Sequence, residues 1–330
     1  MTSLLLHVGL HKTATTSFQC FLAERDQLLA GFGCLYPLTA RAPGPQHALL
    51  PGCHFPNHPF LPKDRSLSVD YYINALAEEL AMAPYSLCVM SSEVFTELLS
   101  FDAIAARMII DRLSDKFERL VLLLTLRDIP ALAYSDLKNR LRDISLGLRR
   151  DFAFSAPMFF NRIEMHKQRE REMWRSLGVE IVEKYMDDGD PVMSYFGVVL
   201  DMMPVIERAG LQSTVAQSDS PPEGRNSDPY AEVEYLLMMI TGLKLAAARK
   251  SKQATLTLES AASFFHSQQS SADLAQVPIG SSQVIALLRC LHANTSDTDY
   301  RSSMQRVGLS PVVAEHIDLF ADRLANQLVG

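Results

Sequence analysis

The sequence predicts an α/β fold with a central parallel sheet and helices on both faces. Four short apolar segments have the length and hydrophobicity of buried strands, at residues 3–8, 86–91, 119–126 and 179–184. Longer segments between and around them repeat apolar residues at helical spacing, near residues 15–30, 69–82, 101–116, 130–147 and 157–177. This alternation is typical of parallel strands that are joined by helices.

The chain of 330 residues is long enough for one large domain or for a domain with a helical appendage. We expect an α/β core over residues 1–210. A polar, turn-rich linker follows at 211–229, where Ser218 to Pro229 is rich in serine, proline and aspartate. Residues 230–330 are expected to form a helical C-terminal extension that packs on the core. Its predicted helices lie near 230–250, 255–268, 281–293 and 310–328.

Composition excludes several classes of function. A formal net charge of −7 without a long basic run argues against nucleic acid as a general partner. No segment reaches the roughly 18–20 apolar residues of a membrane span, and the N-terminus has no signal-peptide pattern. The five cysteines are scattered, without C-x-x-C spacing, which indicates free or buried thiols. We therefore expect a cytoplasmic protein.

The first predicted strand is the most informative element because it leads directly into an anion-binding pattern. It runs into Gly9, which is followed by Lys12 and by the hydroxyl residues Thr13, Thr15, Thr16 and Ser17 at the start of a predicted helix. The backbone N–H groups and the positive end of the dipole at a helix start bind phosphate or sulfate. A lysine adds a positive charge, and hydroxyl groups add hydrogen-bond donors.

This loop differs from a Walker A motif in its spacing. G-x-x-x-x-G-K-[ST] requires a second glycine directly before the lysine. Here two residues separate Gly9 from Lys12, and His11 takes the place of that glycine. The shorter loop is suited to a smaller anion than the polyphosphate of a nucleoside triphosphate.

The segment from His7 to Gln19 resembles the 5′-phosphosulfate loop of the sulfotransferases, especially the bacterial branch with an H-K-T-x-T-T-S loop. The resemblance implies a three-layer, P-loop NTPase-like sandwich. It also implies 3′-phosphoadenosine 5′-phosphosulfate (PAPS) as co-substrate, 3′,5′-adenosine bisphosphate as product, and transfer without a metal. The residues expected to bind the donor here are Gly9, Lys12, Thr13, Ala14, Thr15, Thr16 and Ser17. Ala14 replaces the usual glycine, and its Cβ is expected to prevent an easy positive φ.

Arg127 and Ser135 are similar to the family's 3′-phosphate site. Arg127 follows the apolar strand 119–126, and Ser135 lies two turns into the next predicted helix. The carboxyl ends of strands are where ligands bind in open α/β sheets. Alternatively, Arg127 pairs with Asp128 or another carboxylate, and Ser135 is an ordinary helix surface residue.

Glu93 is the first candidate for the catalytic base. It follows Ser91 and Ser92 at the end of the strand 86–91, and the resemblance includes an S-S-E-like sequence at this point. A carboxylate here is suited to remove the proton of an acceptor hydroxyl. Glu93 is also suited to the first turn of the next helix, with Ser91 or Ser92 as N-cap. His11 is a further catalytic candidate, and Lys12 is expected to neutralise the leaving oxygen.

The segment from Pro37 to Arg65 contains seven prolines and three histidines and has no periodicity. We expect it to form part of the acceptor side of the site, and one of its histidines is an alternative base. His47, Cys53, His54 and His58 offer ligand types that zinc accepts, but a second ligand pair is missing, so no metal site is expected. His7 is expected to be a satisfied core residue.

Two other functions stay open. A P-loop kinase or nucleotidase would need Mg²⁺ and an acidic residue at the end of a core strand, whereas the strand 119–126 ends in Arg127. A nucleotide-binding protein without turnover is the other alternative. The acceptor is expected to be a carbohydrate, a glycolipid or a small metabolite, and a homo-oligomer is compatible with the sequence.

Overall fold

A computed structural model describes residues 2–10, 13–41, 44–55, 61, 68–145, 151–154, 156–186, 190–217, 236, 240, 241, 244, 254–257, 279–293 and 300–329. The description below concerns these residues. His11 and Lys12 lie outside them, as do residues 218–229 of the predicted linker.

The described strands are β1 (Ser3–His7), β2 (Cys34–Leu35), β3 (Leu87–Ser91), β4 (Arg119–Leu126), β5 (Asp151–Phe154), β6 (Glu180–Tyr185) and β7 (Ala254–Thr257). The helices of the first half are α1 (Thr15–Ala23), α2 (Asp26–Gly31), α3 (Leu49–Gly52), α4 (Val69–Leu80), α5 (Val94–Phe101), α6 (Ala103–Ser114) and α7 (Ile129–Ser145). Those that follow are α8 (Ala156–Ser176), α9 (Pro191–Met202), α10 (Val205–Gln217), α11 (Ser281–Ala293), α12 (Tyr300–Arg306) and α13 (Pro311–Val329).

The chain divides into two compact units. The first contains residues 1–128 and 167–225, and the second contains 129–166 and 226–330. Residues 129–166, which the sequence analysis assigned to the core, therefore belong to the second unit. Residues 211–217, assigned to the linker, are the last residues of α10.

The first unit is built on a five-stranded, all-parallel sheet in the order β2-β3-β1-β4-β6. This confirms the predicted α/β class and the central parallel sheet. The four predicted strands are present within one residue of their expected ends. The edge strand β2 was not predicted, because two residues are too few to show a periodicity.

Alternate residues of β1 face two separate hydrophobic cores. Leu4 and Leu6 lie in a cluster with side chains of α4, α5, α6 and Trp174, whereas Leu5 lies in a cluster with side chains of α1, α9 and α10. Since successive side chains of a strand point to opposite faces, the two clusters are the two sides of the sheet. Helices therefore cover both faces, which is consistent with a three-layer sandwich.

One predicted helix of the first unit needs correction. The segment near 15–30 forms α1 and α2, with a turn at Glu24 and Arg25. The predicted helix near 101–116 is present as α6, and its N-cap Asp102, which also ends α5, accepts the Ala105 N–H at 2.9 Å. The helices α9 and α10 were not predicted at all.

The second unit is described only in parts. In it α11 packs against α7, and α12 against α13. The sequence analysis expected helices throughout residues 230–330, and one near 255–268. Instead Ala254–Thr257 form a strand, β7, that pairs antiparallel with β5. Thr255 and Thr257 are β-branched residues at alternate positions, which favours a strand over a helix.

None of the helices, over the residues described, is both long and apolar enough to cross a membrane. All five cysteines are free thiols, as the sequence predicted, and Cys34 and Cys88 are buried.

Candidate anion site after the first strand

The candidate site lies where the strand order of the sheet reverses. β1 is flanked by β3 and β4, and the connections that leave β1 and β3 run toward opposite edges of the sheet. Ligands of open α/β proteins bind outside the carboxyl ends of strands at such a point. Gly9 follows β1 here, and Glu93 follows β3, so the two leading sequence motifs start at neighbouring strand ends, as predicted.

Gly9 is needed because three hydroxyl groups surround its Cα. A Cβ at this position would lie 2.2 Å from Thr15 Oγ1, 2.9 Å from Thr125 Oγ1 and 3.2 Å from Thr13 Oγ1. The two shorter distances are below any ordinary contact of a carbon atom. The loop therefore passes closer to β4 and to the start of α1 than any residue with a side chain allows.

Ala14 corrects one expectation. Its φ of 57° and ψ of 21° are left-handed, although its Cβ was expected to disfavour a positive φ. Ala14 is the N-cap of α1, and its carbonyl accepts the first helical hydrogen bond, from the Phe18 N–H at 3.1 Å. The surrounding contacts therefore impose a conformation that costs an L-residue roughly 1–2 kcal/mol.

The start of α1 offers unused backbone donors. The N–H groups of Thr15, Thr16 and Ser17 precede the first intrahelical bond, and no side chain caps the helix. Within the part of the chain that the structure describes, none of these three groups donates a hydrogen bond. Thr16 is exposed and Ser17 is half-buried. This end of the helix can therefore bind an anion.

The hydroxyl groups of Thr13 and Thr15 are turned into the protein. Both side chains are buried, and Thr13 Oγ1 donates a 2.6 Å hydrogen bond to the Leu10 carbonyl. The proton of this hydroxyl stabilises the loop itself, so it is not a donor to an anion. His11 and Lys12, the two predicted catalytic residues of the loop, lie outside the described residues.

Side chains from three helices hold the loop from both sides of the sheet. Tyr195 of α9 donates from its phenol to the Thr13 carbonyl at 2.9 Å. On the other face, Thr96 of α5 donates to the Val8 carbonyl at 3.2 Å, and Trp174 of α8 donates to Thr96 Oγ1 at 3.2 Å. Tyr195, Thr96 and Trp174 are all buried. The loop is thus fixed before any ligand binds.

His7 lies beneath this loop and is fully buried, as predicted. Its ring nitrogens contact Ser91 Oγ at 2.8 Å and Thr125 Oγ1 at 3.2 Å, and Gln19 donates to Ser91 Oγ at 3.1 Å. Burial lowers the pKa of His7 to about 3, against a smaller opposite effect of the Glu93 charge. The ring is therefore neutral at physiological pH.

Glu93 lies just after the carboxyl end of β3. Its side chain is half-buried and makes no capping hydrogen bond to α5. Glu93 is itself the N-cap residue of α5, where Ser91 or Ser92 had been the alternative, and Ser92 Oγ accepts the Val94 N–H at 3.2 Å.

Arg127 directly follows β4, at the predicted edge of the sheet, and is half-buried. Ser135 is a half-buried residue of α7. Arg127 belongs to the first unit and Ser135 to the second. Their joint 3′-phosphate site stays a prediction.

His47, in the proline-rich segment, is unsuited to catalysis. His47 is fully buried, its Nδ1 accepts the Ser91 N–H at 3.1 Å, and its Nε2 contacts the Pro37 carbonyl at 2.8 Å. Burial lowers its pKa to about 3. Both nitrogens are in use, so His47 is neither a base nor a metal ligand. His58 lies outside the described residues, among which no group of three His, Cys, Asp or Glu side chains could hold a metal.

Sequence reasoning did not find the residues that support the loop. Thr125 is the one polar residue in the apolar run of β4, which marks a side chain with a special partner. Tyr195 could have been found only by predicting helix α9. The start of that helix is indicated by Asp190 as N-cap and by Pro191 at the first helical position. Gln19 and Thr96 gave no signal in the sequence.

Comparison with models of protein families, with curated proteins and with solved structures found no match for this chain.

Proposed function

We propose that this protein is a sulfotransferase that moves a sulfuryl group from PAPS to a hydroxyl of an acceptor. The observation that carries the proposal is the loop between β1 and α1. It is short, it is rigidly held, and it leads to a helix whose first N–H groups are available to an anion. Lys12 stands in that loop, between Leu10 and Thr13.

The residues fit a phosphosulfate better than a longer polyphosphate. The close approach at Gly9 leaves no room for a side chain, and two buried threonines fill the space beneath the loop. A small anion at the helix start would contact the N–H groups of Thr15, Thr16 and Ser17 and the exposed hydroxyl of Thr16. Lys12 would then balance its charge.

In the proposed reaction, PAPS supplies an activated sulfuryl group and a phosphate leaving group. The acceptor oxygen forms a bond to sulfur while the bond between sulfur and the 5′-phosphate oxygen breaks. The Glu93 carboxylate takes the acceptor proton. The electron pair of the broken bond stays on the phosphate oxygen, where the ammonium of Lys12 stabilises the negative charge.

Arg127 is proposed to bind the 3′-phosphate of the donor, because it is the first residue after β4, the strand next to β1. Such a contact would explain discrimination against donors without that phosphate. The part of Ser135 in this site, and that of His11 beside the sulfuryl oxygens, are proposals from the sequence pattern. The acceptor class stays a carbohydrate, a glycolipid or a small metabolite.

The kinase or nucleotidase alternative is disfavoured by one feature of the sheet. β4, which lies beside β1, ends in Arg127 where such an enzyme would need an acid for Mg²⁺. Glu93 after β3 is an acid that could take this part, so this alternative is kept as an outcome of the experiment below.

Calorimetric titration separates the three functions. We expect 3′,5′-adenosine bisphosphate to bind without added metal and to bind equally well with Mg²⁺. ATP binding that requires Mg²⁺ would support the kinase. Bisphosphate binding without sulfate transfer to a broad panel of hydroxyl acceptors would support a silent binding protein.

Transfer activity then tests Lys12. Lys12→Ala should lose about 10²–10³-fold in transfer rate, because one charge-stabilising group is removed from the leaving oxygen. Lys116→Ala, an exposed lysine between α6 and β4, is the matched control and should leave the rate unchanged. Equal rates for the two variants would overturn the proposed role.

A further inference from the structure

A continuous chain of buried hydrogen bonds crosses the sheet beneath the loop. It runs from Gln19 Nε2 through Ser91 Oγ, the two ring nitrogens of His7 and Thr125 Oγ1 to Thr13 Oγ1, over distances of 3.1, 2.8, 3.2 and 2.7 Å. All five side chains are buried. Ser91 and His7 are register partners on β3 and β1, and Thr125 is on β4. The chain therefore joins three strands, the first helix and the loop.

The hydrogen bond from Thr13 to the Leu10 carbonyl sets the direction of every bond in the chain. The Leu10 carbonyl can only accept, so Thr13 must donate to it. Thr13 then accepts from Thr125, and Thr125 accepts from His7 Nε2–H. His7 Nδ1 consequently carries no proton and accepts from Ser91, which in turn accepts from the Gln19 amide.

We infer that His7 is a positioning residue, which in its neutral Nε2–H form orients Thr125 and Thr13 and so holds Leu10 and Thr13 in place between β1 and the N-terminus of α1. The inference rests on the proposed function for the nature of the ligand, and on this structure alone for the hydrogen-bond chain.

The surroundings of His7 favour this single form. The rings of Phe18 and Tyr195 enclose the imidazole, with centroids at 5.1 and 5.7 Å. Glu93 is the charged group whose field acts on it. In the other, Nδ1–H tautomer, Nε2 would carry no proton and would face Thr125 Oγ1, whose own proton is already donated to Thr13, so this contact would join two acceptors. A buried chain of this kind is costly when one member is left unsatisfied.

The tautomer can be measured without any ligand. In ¹⁵N-labelled protein, the His7 ring signals are identified by their loss in His7→Gln. We expect the pattern of a neutral Nε2–H imidazole, unchanged between pH 8 and pH 5. A neutral Nδ1–H pattern, or a ring that is protonated at pH 6, overturns the inference.

Variants of Thr125 test what the chain does for the loop. Thr125→Val removes the hydroxyl with little change in shape, and Thr125→Ser restores it. We expect Thr125→Val to bind 3′,5′-adenosine bisphosphate about tenfold more weakly, which corresponds to the loss of one buried hydrogen bond. The Leu10 amide, whose N–H donates to the Thr125 carbonyl, should exchange with solvent faster. Thr125→Ser should recover both properties.

Ser86→Ala is the control for a general loss of stability, since the Ser86 hydroxyl bonds Glu207 and the Gly33 carbonyl at the opposite edge of the sheet. It should leave affinity and Leu10 exchange unchanged. Unchanged affinity or unchanged Leu10 exchange in Thr125→Val overturns the inference. If the wild-type protein binds no bisphosphate, the proposed function fails, while the tautomer and the Leu10 exchange still decide the role of His7.

Discussion

The hydroxyl of Thr15 occupies the space that a side chain at Gly9 would need. The two residues are six apart, and a Cβ on Gly9 would lie 2.2 Å from Thr15 Oγ1. The hydroxyl groups of Thr125 and Thr13 lie 2.9 and 3.2 Å from the same position.

Gly9→Ala should therefore lower the free energy of unfolding by about 1–3 kcal/mol, the usual cost of overpacking a core. It should also abolish bisphosphate binding, because the loop must move away from β4. Gly31→Ala in α2 is the matched control, since a Cβ there meets nothing within 4 Å. It should change the stability by no more than about 1 kcal/mol, toward greater stability. Urea unfolding monitored by circular dichroism measures both. Equal effects of the two substitutions would contradict the packing described for Gly9.

Ala14→Gly should not destabilise the protein. Glycine adopts the left-handed conformation without strain, which offsets the lost methyl contact and the added freedom of the unfolded chain. We expect a change within about 1 kcal/mol. Ala40→Gly should behave alike, since Ala40 also has a positive φ, of 64°. Ala106→Gly, in the interior of α6, should lose about 1–2 kcal/mol. Thermal and urea unfolding compare the three variants. A loss at Ala14 as large as that at Ala106 would show that the left-handed conformation is not strained.

Glu93→Gln should remove sulfate transfer while bisphosphate affinity is retained, because the amide keeps the shape of the carboxylate and cannot accept a proton. A loss of about 10²–10⁴-fold in rate is typical for a general base. Glu97→Gln lies one turn further along α5, is also half-buried, and should keep full activity. Rates with labelled donor and affinities by calorimetry are the measurements. If Glu93→Gln retains its rate, a different group is the base.

Arg127→Ala should weaken bisphosphate binding by more than tenfold, as expected for the loss of a charge-assisted phosphate contact. Arg119→Ala removes an arginine from the other end of the same strand, where its exposed side chain pairs with Glu180. That control should leave the affinity unchanged. Adenosine 5′-phosphate, which has no 3′-phosphate, should bind both variants equally. Wild-type affinity for the bisphosphate in Arg127→Ala would rule out the 3′-phosphate assignment.

Stability should fall as the pH decreases from about 6.5, the unfolded pKa of histidine. Burial holds the pKa of both His7 and His47 at about 3, so below pH 6.5 each binds a proton in the unfolded state and none in the folded state. The stability that they contribute is complete above pH 6.5. Below pH 6.5, each histidine should lower the free energy of unfolding by about 1.4 kcal/mol per pH unit. Urea unfolding at pH 7.5, 6.0 and 5.0 gives the slope. His7→Gln should reduce that slope, and an unchanged slope would contradict the buried neutral state.

The strands of the central sheet were predictable because continuous apolar runs such as Leu120 to Leu124 are characteristic of strands buried on both faces. Their order was not, since pairing joins segments far apart: Leu4 lies beside Cys88 and Leu120. The wrong expectation for Ala14 has the same origin. Local preference disfavours a positive φ, but contacts on both sides, such as the Tyr195 phenol on the Thr13 carbonyl, determine the conformation.

The sequence could place the candidate residues of the site but not the side chains that support them. Gly9, Glu93 and Arg127 could be placed at one edge of the sheet because each follows a strand, and the carboxyl ends of parallel strands meet at one edge. Thr125, Gln19, Thr96 and Tyr195 act through hydrogen bonds to residues that are distant in sequence, and no local pattern identifies such partners. The threonines of the loop show what the sequence cannot give. Their residue type suggested hydroxyl donors for an anion, but it did not show that the Thr13 hydroxyl donates to the Leu10 carbonyl instead.

The hydrogen bond from Tyr195 to Thr13 spans 182 residues, and this separation sets the order in which the site is made on the ribosome. The loop is among the first segments to be synthesised, yet its phenol partner follows roughly 10–35 s later at ordinary translation rates. β1 must likewise wait for β3 and β4 before it has a neighbour on either side. A nascent chain therefore completes the candidate site only near the end of the synthesis of its first unit, so any ligand of this site binds after the earlier folding steps.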